Sequence, residues 1–200
     1  MNNEIGKTRR DRLNYEYEWF KATDDSISLI KDKMIHFWNA GEKNRKGKNG
    51  VADSYYRLFK VIYDKKIDDC ICAEDDCLLK ELPKKLPTEV CYLNGRFINH
   101  NNWKEVDTFN KNIGVNKIDY TKYRITGAWG IYFPKYTDVK PFIDHIEQAK
   151  RLRAIDVMFY KEKLINHYLY PSAFINDAQL ISQIQKKGDK PYDNYVKSTY

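Results

Sequence analysis

The sequence predicts an α/β fold: one domain with a central mixed, mainly parallel sheet flanked by helices. Three observations carry this. Val51, Tyr55, Leu58, Phe59 and Ile62 recur at helical spacing and form one apolar face. The short charged connection Asp64-Lys65-Lys66 then leads into Ile67–Ala73, whose apolar run Cys70-Ile71-Cys72-Ala73 reads as a buried strand. A helix followed by a strand across a short connection is the unit of α/β architecture. The 200 residues suit a single domain, 1–200, with a sizeable core.

The remaining elements follow in chain order. Residues 1–14 are polar and basic and read as a loose arm. Tyr15–Ala22 is aromatic-rich and predicts a strand ending at Thr23-Asp24-Asp25. Ser26–Trp38 carries Ile27, Ile30, Met34, Ile35 and Trp38 at helical spacings. Gly41–Gly50 reads as a solvated Gly- and Lys-rich loop. Leu82–Pro87 holds two prolines and must be irregular. Glu89–Leu93 predicts a strand stopped by Asn94-Gly95, and residues 99–122 a long polar loop. Tyr123–Phe133 predicts two short strands hinged at Gly127-Ala128-Trp129-Gly130. Asp138 caps a predicted helix through Leu152, with Phe142, Ile143, Ile146 and Ala149 inward. Ile165–Tyr170 predicts a last strand ended by Pro171. The polar tail 186–200 reads as a second loose arm.

Composition narrows the function classes. The formal charge of +7 permits a nucleic-acid partner, an anionic small substrate or a membrane surface. The densest basic run, Lys43-Asn44-Arg45-Lys46-Gly47-Lys48, falls in the predicted loop, and basic residues elsewhere are interleaved with acids. No apolar run is long enough to span a bilayer, and the first residues lack the apolar core of a signal peptide. A soluble, cytoplasmic protein is the expectation. The four cysteines, at 70, 72, 77 and 91, have no zinc spacing and read as free thiols in a reducing compartment.

The densest chemistry is the acidic triplet Glu74-Asp75-Asp76, directly after the predicted strand. In open α/β sheets, ligands bind beyond the carboxyl ends of strands. Clustered carboxylates there repel one another. A hard divalent cation with oxygen ligands relieves that repulsion and also holds substrate phosphates. The plain alternative is a polar turn that ends a strand.

An ordered set of short motifs runs along the chain. It comprises Arg9-Arg10-Asp11-Arg12, Phe20-Lys21-Ala22-Thr23-Asp24, Gly50-Val51-Ala52-Asp53-Ser54-Tyr55, and Ile71-Cys72-Ala73-Glu74-Asp75-Asp76. Then come Tyr92-Leu93-Asn94-Gly95, Gly127-Ala128-Trp129-Gly130-Ile131-Tyr132 and Ile155-Asp156. Over roughly residues 9–175 this set resembles the lipopolysaccharide-type family 25 glycosyltransferases and related GT-A transferases, including viral ones. Tyr55 stands where that family has a histidine.

The resemblance implies a GT-A (Rossmann-like) domain and a metal-dependent glycosyltransferase. Such an enzyme moves a hexosyl or deoxyhexosyl group from a UDP- or GDP-linked donor to a glycan or glycoprotein hydroxyl. It implies Mn²⁺ or Mg²⁺ held by Glu74 and Asp76, with Asp76 the main ligand and His167 a further one. Asp75 is expected to reach the backbone or ribose, and Asp24 or Asp25 the ribose or base. Ser54 belongs to the donor-site helix start. Gly127 and Gly130 let the backbone approach the sugar, and Trp129 stacks on it. Asp156, which follows a predicted helix and sits among apolar residues, is the candidate base that deprotonates the acceptor. Each has a plain structural counterpart: turn capping for Asp24 and Asp25, a tight turn for the glycines, a core ring for Trp129, a partly buried histidine for His167, a helix cap for Asp156.

Two other classes compete. Net charge and abundant tyrosines would suit a nucleic-acid-binding protein, although no recognised motif appears. A metal-dependent phosphohydrolase or nuclease would use the same acids, but with more carboxylates and histidines than the sequence offers.

Overall fold

The computed structural model describes residues 15–18, 20–22, 30, 42–75, 77–99, 105–106, 111–150, 152 and 154–176; for 42–49, 128–129 and 176 it describes the backbone only. The predicted helix Ser26–Trp38, apart from Ile30, and both arms lie outside these residues.

Helix α1 spans Glu42–Asp64. Strands β1 (Cys70–Cys72), β2 (Cys77–Leu79), β3 (Cys91–Asn99), β4 (Gly114–Lys117) and β5 (Tyr123–Phe133) follow. After a 3-10 turn at Tyr136–Val139 come α2 (Lys140–Gln148), α3 (Ile155–Lys161), β6 (His167–Tyr170) and β7 (Phe174–Asn176). The architecture is mixed α/β. Five strands form one sheet in the order β1-β5-β3-β6-β4, and β2 pairs with β7 in a separate ribbon.

The sheet is mixed as expected, but it is not mainly parallel. Only β3 and β6 run parallel; β1–β5, β3–β5 and β4–β6 are antiparallel. The reason is connectivity. Parallel neighbours need a long crossover. Here only β3 and β6 meet that condition in parallel, joined through β4, β5 and both later helices.

Side-chain alternation along the strands builds three layers. Tyr92, Ile131, Phe133 and Tyr168 point to the face covered by the helices, where they meet Phe59, Phe142 and Phe159. Cys91, Leu93, Tyr132 and Leu169 point the other way and meet Cys77, Ala173 and Phe174 of the ribbon layer. The aromatic centre of the first face is tight: Phe59 lies 5.2 Å from Phe142 and 5.4 Å from Phe133, and Phe142 lies 5.1 Å from Phe159, ring centre to ring centre. These tilted and edge-on contacts fix α1, α2 and α3 against β5.

Several boundaries depart from the sequence reading. The Gly- and Lys-rich stretch from Glu42 is helical, because its Lys, Arg and Glu are good helix formers and offset the glycines. The expected strand at Tyr15–Ala22 is not formed by its described residues. Instead Tyr15 packs edge-on against Phe174 at 5.6 Å and donates a hydrogen bond to the Cys77 carbonyl. Strand β1 is only three residues, shorter than the expected Ile67–Ala73, and sits at the sheet edge. Strand β3 runs through Asn94-Gly95, and Tyr123–Phe133 is one strand, not two. The loop expected over 99–122 contains β4, which pairs with β6. The helix expected to reach Leu152 ends at Gln148, and Asp138 accepts the Lys135 N–H at the 3-10 turn that precedes it. Strand β6 is followed by β7.

All four cysteines are free, and Cys72, Cys77 and Cys91 are buried. No helix among the described residues is long and apolar enough to cross a membrane.

The C-terminus of α1 is closed by a backbone motif. The Ile67 N–H donates to the Ile62 carbonyl at 3.0 Å, and the Lys66 N–H to that of Tyr63 at 3.2 Å. This pairing needs a left-handed residue at Lys66, whose φ is 55°. A side chain there is strained, and glycine is not. Lys66→Gly is expected to stabilise the protein by about 0.5–1 kcal/mol, a rise of roughly 1–4 °C in melting temperature. Thermal denaturation checks this; a fall in melting temperature contradicts it.

Candidate functional site

The acidic turn follows from the brevity of β1. The strand begins after Asp69, itself left-handed at φ 54°, and ends at Cys72. Glu74 and Asp75 are half-buried, and the Glu74 carbonyl accepts the Cys77 N–H at 3.2 Å. That turn carries the chain from the main sheet to the ribbon. The acids thus stand at the carboxyl end of a strand, as expected, but of an edge strand, where water reaches charged groups more readily. Asp76 lies outside the described residues.

Pairing with β5 determines what the acidic turn meets. Cys72 lies opposite Ile131, the last pair of this ladder, so β1 parts from β5 on the side of Ile131 where β5 carries residues 127–130. There the β3–β5 ladder is irregular. Between the pairs Thr126–Arg96 and Gly130–Asn94, β5 carries residues 127, 128 and 129 while β3 carries only Gly95. Bulges of this kind redirect backbone groups away from the ladder. Gly127 adopts φ 83°, which favours glycine, and its N–H points at the Asp156 Oδ2 at 3.4 Å.

Asp156 reaches the bulge from α3. It follows the first helical residue, Ile155, and its Oδ1 accepts the Val157 N–H at 2.8 Å. A carboxylate is favoured in the first turn of a helix. Ile155, Met158, Phe159 and Tyr160 are buried and hold the short helix in place. The residue therefore contributes to the helix start and also bonds across to β5, two roles in one side chain.

The other expected site residues divide. Gly130 is buried, and a Cβ there would lie 2.9 Å from the Phe174 ring and 3.5 Å from Leu93. Its smallness serves packing of the ribbon on the sheet. Trp129 lies in the bulge, and its side chain is not described. Ser54 donates from Oγ to the Gly50 carbonyl at 2.6 Å, a bond inside α1. His167 opens β6, opposite Cys91 and Lys117. Strands β5 and β3 lie between β6 and β1. Three strand spacings amount to roughly 14 Å, so the structure does not bring His167 together with Glu74. Asp24 and Asp25 lie outside the described residues.

Two residues escaped the sequence reading. Asp53 is fully buried and accepts the Ile30 N–H at 3.2 Å, tying the preceding segment to α1. An acid beside Ala52 on the inward face was the available signal. Tyr92 is buried in β3, and its hydroxyl has no hydrogen-bond partner among the described residues. Nothing local in the sequence marks it.

Among the described residues, no group of three or more His, Cys, Asp or Glu side chains is placed to hold a metal ion. Glu74 and Asp75 provide two carboxylates with hard oxygen donors. Compared with known families and curated proteins, the chain matches no family model and no curated sequence significantly.

The packing at Gly130 gives a direct check. Gly130→Ala forces its Cβ into the Phe174 ring and is expected to destabilise by about 1–3 kcal/mol. Chemical denaturation measures this; an unchanged stability would show that the ribbon yields at no cost.

Proposed function

We propose that this chain is a metal-dependent glycosyltransferase of GT-A type. It transfers a sugar from a nucleotide diphosphate sugar to a glycan or glycoconjugate hydroxyl. One observation carries the reading. Three segments singled out from the sequence belong to one end of the β1–β5 pair: the acidic turn leaves β1 after the Cys72–Ile131 pair, β5 carries the Gly127–Gly130 bulge on that side of Ile131, and Asp156 of α3 bonds to the bulge.

The donor set suits Mn²⁺ or Mg²⁺, which are commonly held by one or two carboxylates together with substrate phosphates. Glu74 and Asp76 are the residues proposed to hold the cation, with Asp75 turned toward the ribose. When bound, the cation supplies neutralising charge to the diphosphate leaving group. The Gly127 N–H engages one oxygen of Asp156 and the Val157 N–H the other, which fixes the plane of the carboxylate. Each oxygen keeps a lone pair, so Asp156 can accept the acceptor hydroxyl proton as general base in an inverting transfer.

Thermal-shift titration of UDP- and GDP-sugars with and without Mn²⁺ tests the reading. A ligand at a hundred times its dissociation constant adds about 2.7 kcal/mol of stability. Asp76→Ala is expected to abolish the Mn²⁺-dependent shift while leaving the unliganded melting temperature nearly unchanged. A full Mn²⁺-dependent shift in a folded Asp76→Ala protein would sink the metal assignment. Asp156→Asn is expected to keep donor binding and lose transfer by about a hundredfold to ten-thousandfold. The amide can still accept a bond from a helix N–H but cannot take the proton, so near-native turnover in that variant excludes the base role.

A further inference from the structure

Two thiols stand outside the proposed transfer chemistry. Cys70 and Cys72 occupy the two ends of β1, opposite Phe133 and Ile131 of β5. Strand alternation puts both on the helix-covered face, with Ile71 between them on the other. Their Sγ atoms lie 3.9 Å apart. Cys72 is buried, whereas Cys70 is half-buried and keeps part of its surface in solvent.

This spacing suits a shared ion better than a disulfide. In an extended strand the same-face repeat is about 6.6 Å. A disulfide needs its Cβ atoms about 3.5–4.5 Å apart. Closing one would contract β1 by about 2 Å and break its ladder with β5. A metal ion spans the two sulfurs without that movement. With metal–thiolate bonds of about 2.3 Å, sulfurs at this separation subtend roughly 115° at the ion, close to the trigonal angle.

The donor set selects the ion. Thiolates are soft ligands and favour Cu(I), Zn²⁺ and iron–sulfur clusters. Structural Zn²⁺ and iron–sulfur clusters take four protein ligands. Among the described residues no group of three or more His, Cys, Asp or Glu is placed to supply them. Mg²⁺ and Mn²⁺ prefer oxygen. Cu(I), a soft closed-shell ion, needs only two or three soft ligands. The partly exposed Cys70 gives it a way in, and the apolar layer around Cys72 limits the access of water.

We propose that Cys70 and Cys72 form a Cu(I) site, both sulfurs binding the ion as thiolates at the edge of the sheet. Binding releases the two thiol protons to water and changes no oxidation state. The inference is independent of the transferase reading, because it uses neither the acidic turn nor Asp156.

The test uses the full chain, reduced and under nitrogen, with Cu(I) supplied as its coloured bicinchoninate complex. The protein is expected to withdraw one Cu(I) per chain without a change in oligomeric state. X-ray absorption at the copper edge is expected to show sulfur neighbours. Cys70→Ser is expected to lose this competition and keep its melting temperature, because the side chain is only half-buried and serine is close to it in size. Cys77→Ala, which removes a thiol from the opposite layer, is expected to keep the competition. No withdrawal by the native chain, or full withdrawal by Cys70→Ser, overturns the inference. Loss of binding in a folded Cys77→Ala protein overturns it too, as does copper-dependent pairing of two chains. Displacement of Cu(I) by excess Mn²⁺ would put the ion on the carboxylates of the acidic turn and equally contradict it.

Discussion

The irregularity between β3 and β5 is the constraint on which the rest of the molecule turns. Three residues of β5 oppose one residue of β3, and the single residue is Gly95. A Cβ at Gly95 would lie 2.5 Å from the Ile125 Cγ2, so the local chain path requires its absence. The bulge frees the Gly127 N–H from the ladder and aims it at α3. It follows directly on the short β3–β6 pairing, which stops at Tyr92–Tyr168. One departure from regular pairing thus sets where β5 meets α3.

The helical layer holds that geometry still. Asp156 reaches β5 only because α3, seven residues long, is anchored by four buried side chains. Phe159 of α3 meets Phe142 of α2, which meets Phe59 of α1 and Phe133 of β5. Truncating a buried ring of this kind typically costs about 3–5 kcal/mol, so the position of Asp156 is supported far from the carboxylate. At the other edge, Asp69 accepts a hydrogen bond from Tyr132, and Asp68 accepts the Tyr136 N–H at 2.9 Å. These bonds fasten the entrance of β1 to the end of β5 and so limit where the acidic turn can lie.

Local periodicity made part of this legible. The inward faces of α1 and α2 were plain: Tyr55, Phe59, Ile62, Phe142, Ile143 and Ile146 are all buried. The acids after Cys72 and the irregular proline stretch 82–87 were equally visible. What escaped depends on partners distant in sequence. Asn94-Gly95 looks like a strand stop until Ile125 of β5 lies against the glycine. Gly114–Lys117 has no pattern of its own and becomes a strand by pairing with β6. Strand order decides the rest: it sets His167 apart from the acidic turn and Gly127 against Asp156, and no spacing within the sequence encodes either.

The central claim is that the acidic turn and the β5 bulge form one cation-dependent site. Paramagnetic broadening by Mn²⁺, followed residue by residue in the amide spectrum of the ¹⁵N-labelled protein, tests it most directly. The account predicts the strongest broadening at Ala73–Asp75 and at Gly127–Gly130, weaker effects at Asp156, and the least at β4 on the far edge of the sheet. Broadening centred on any other part of the protein, or none at substoichiometric Mn²⁺, would contradict it.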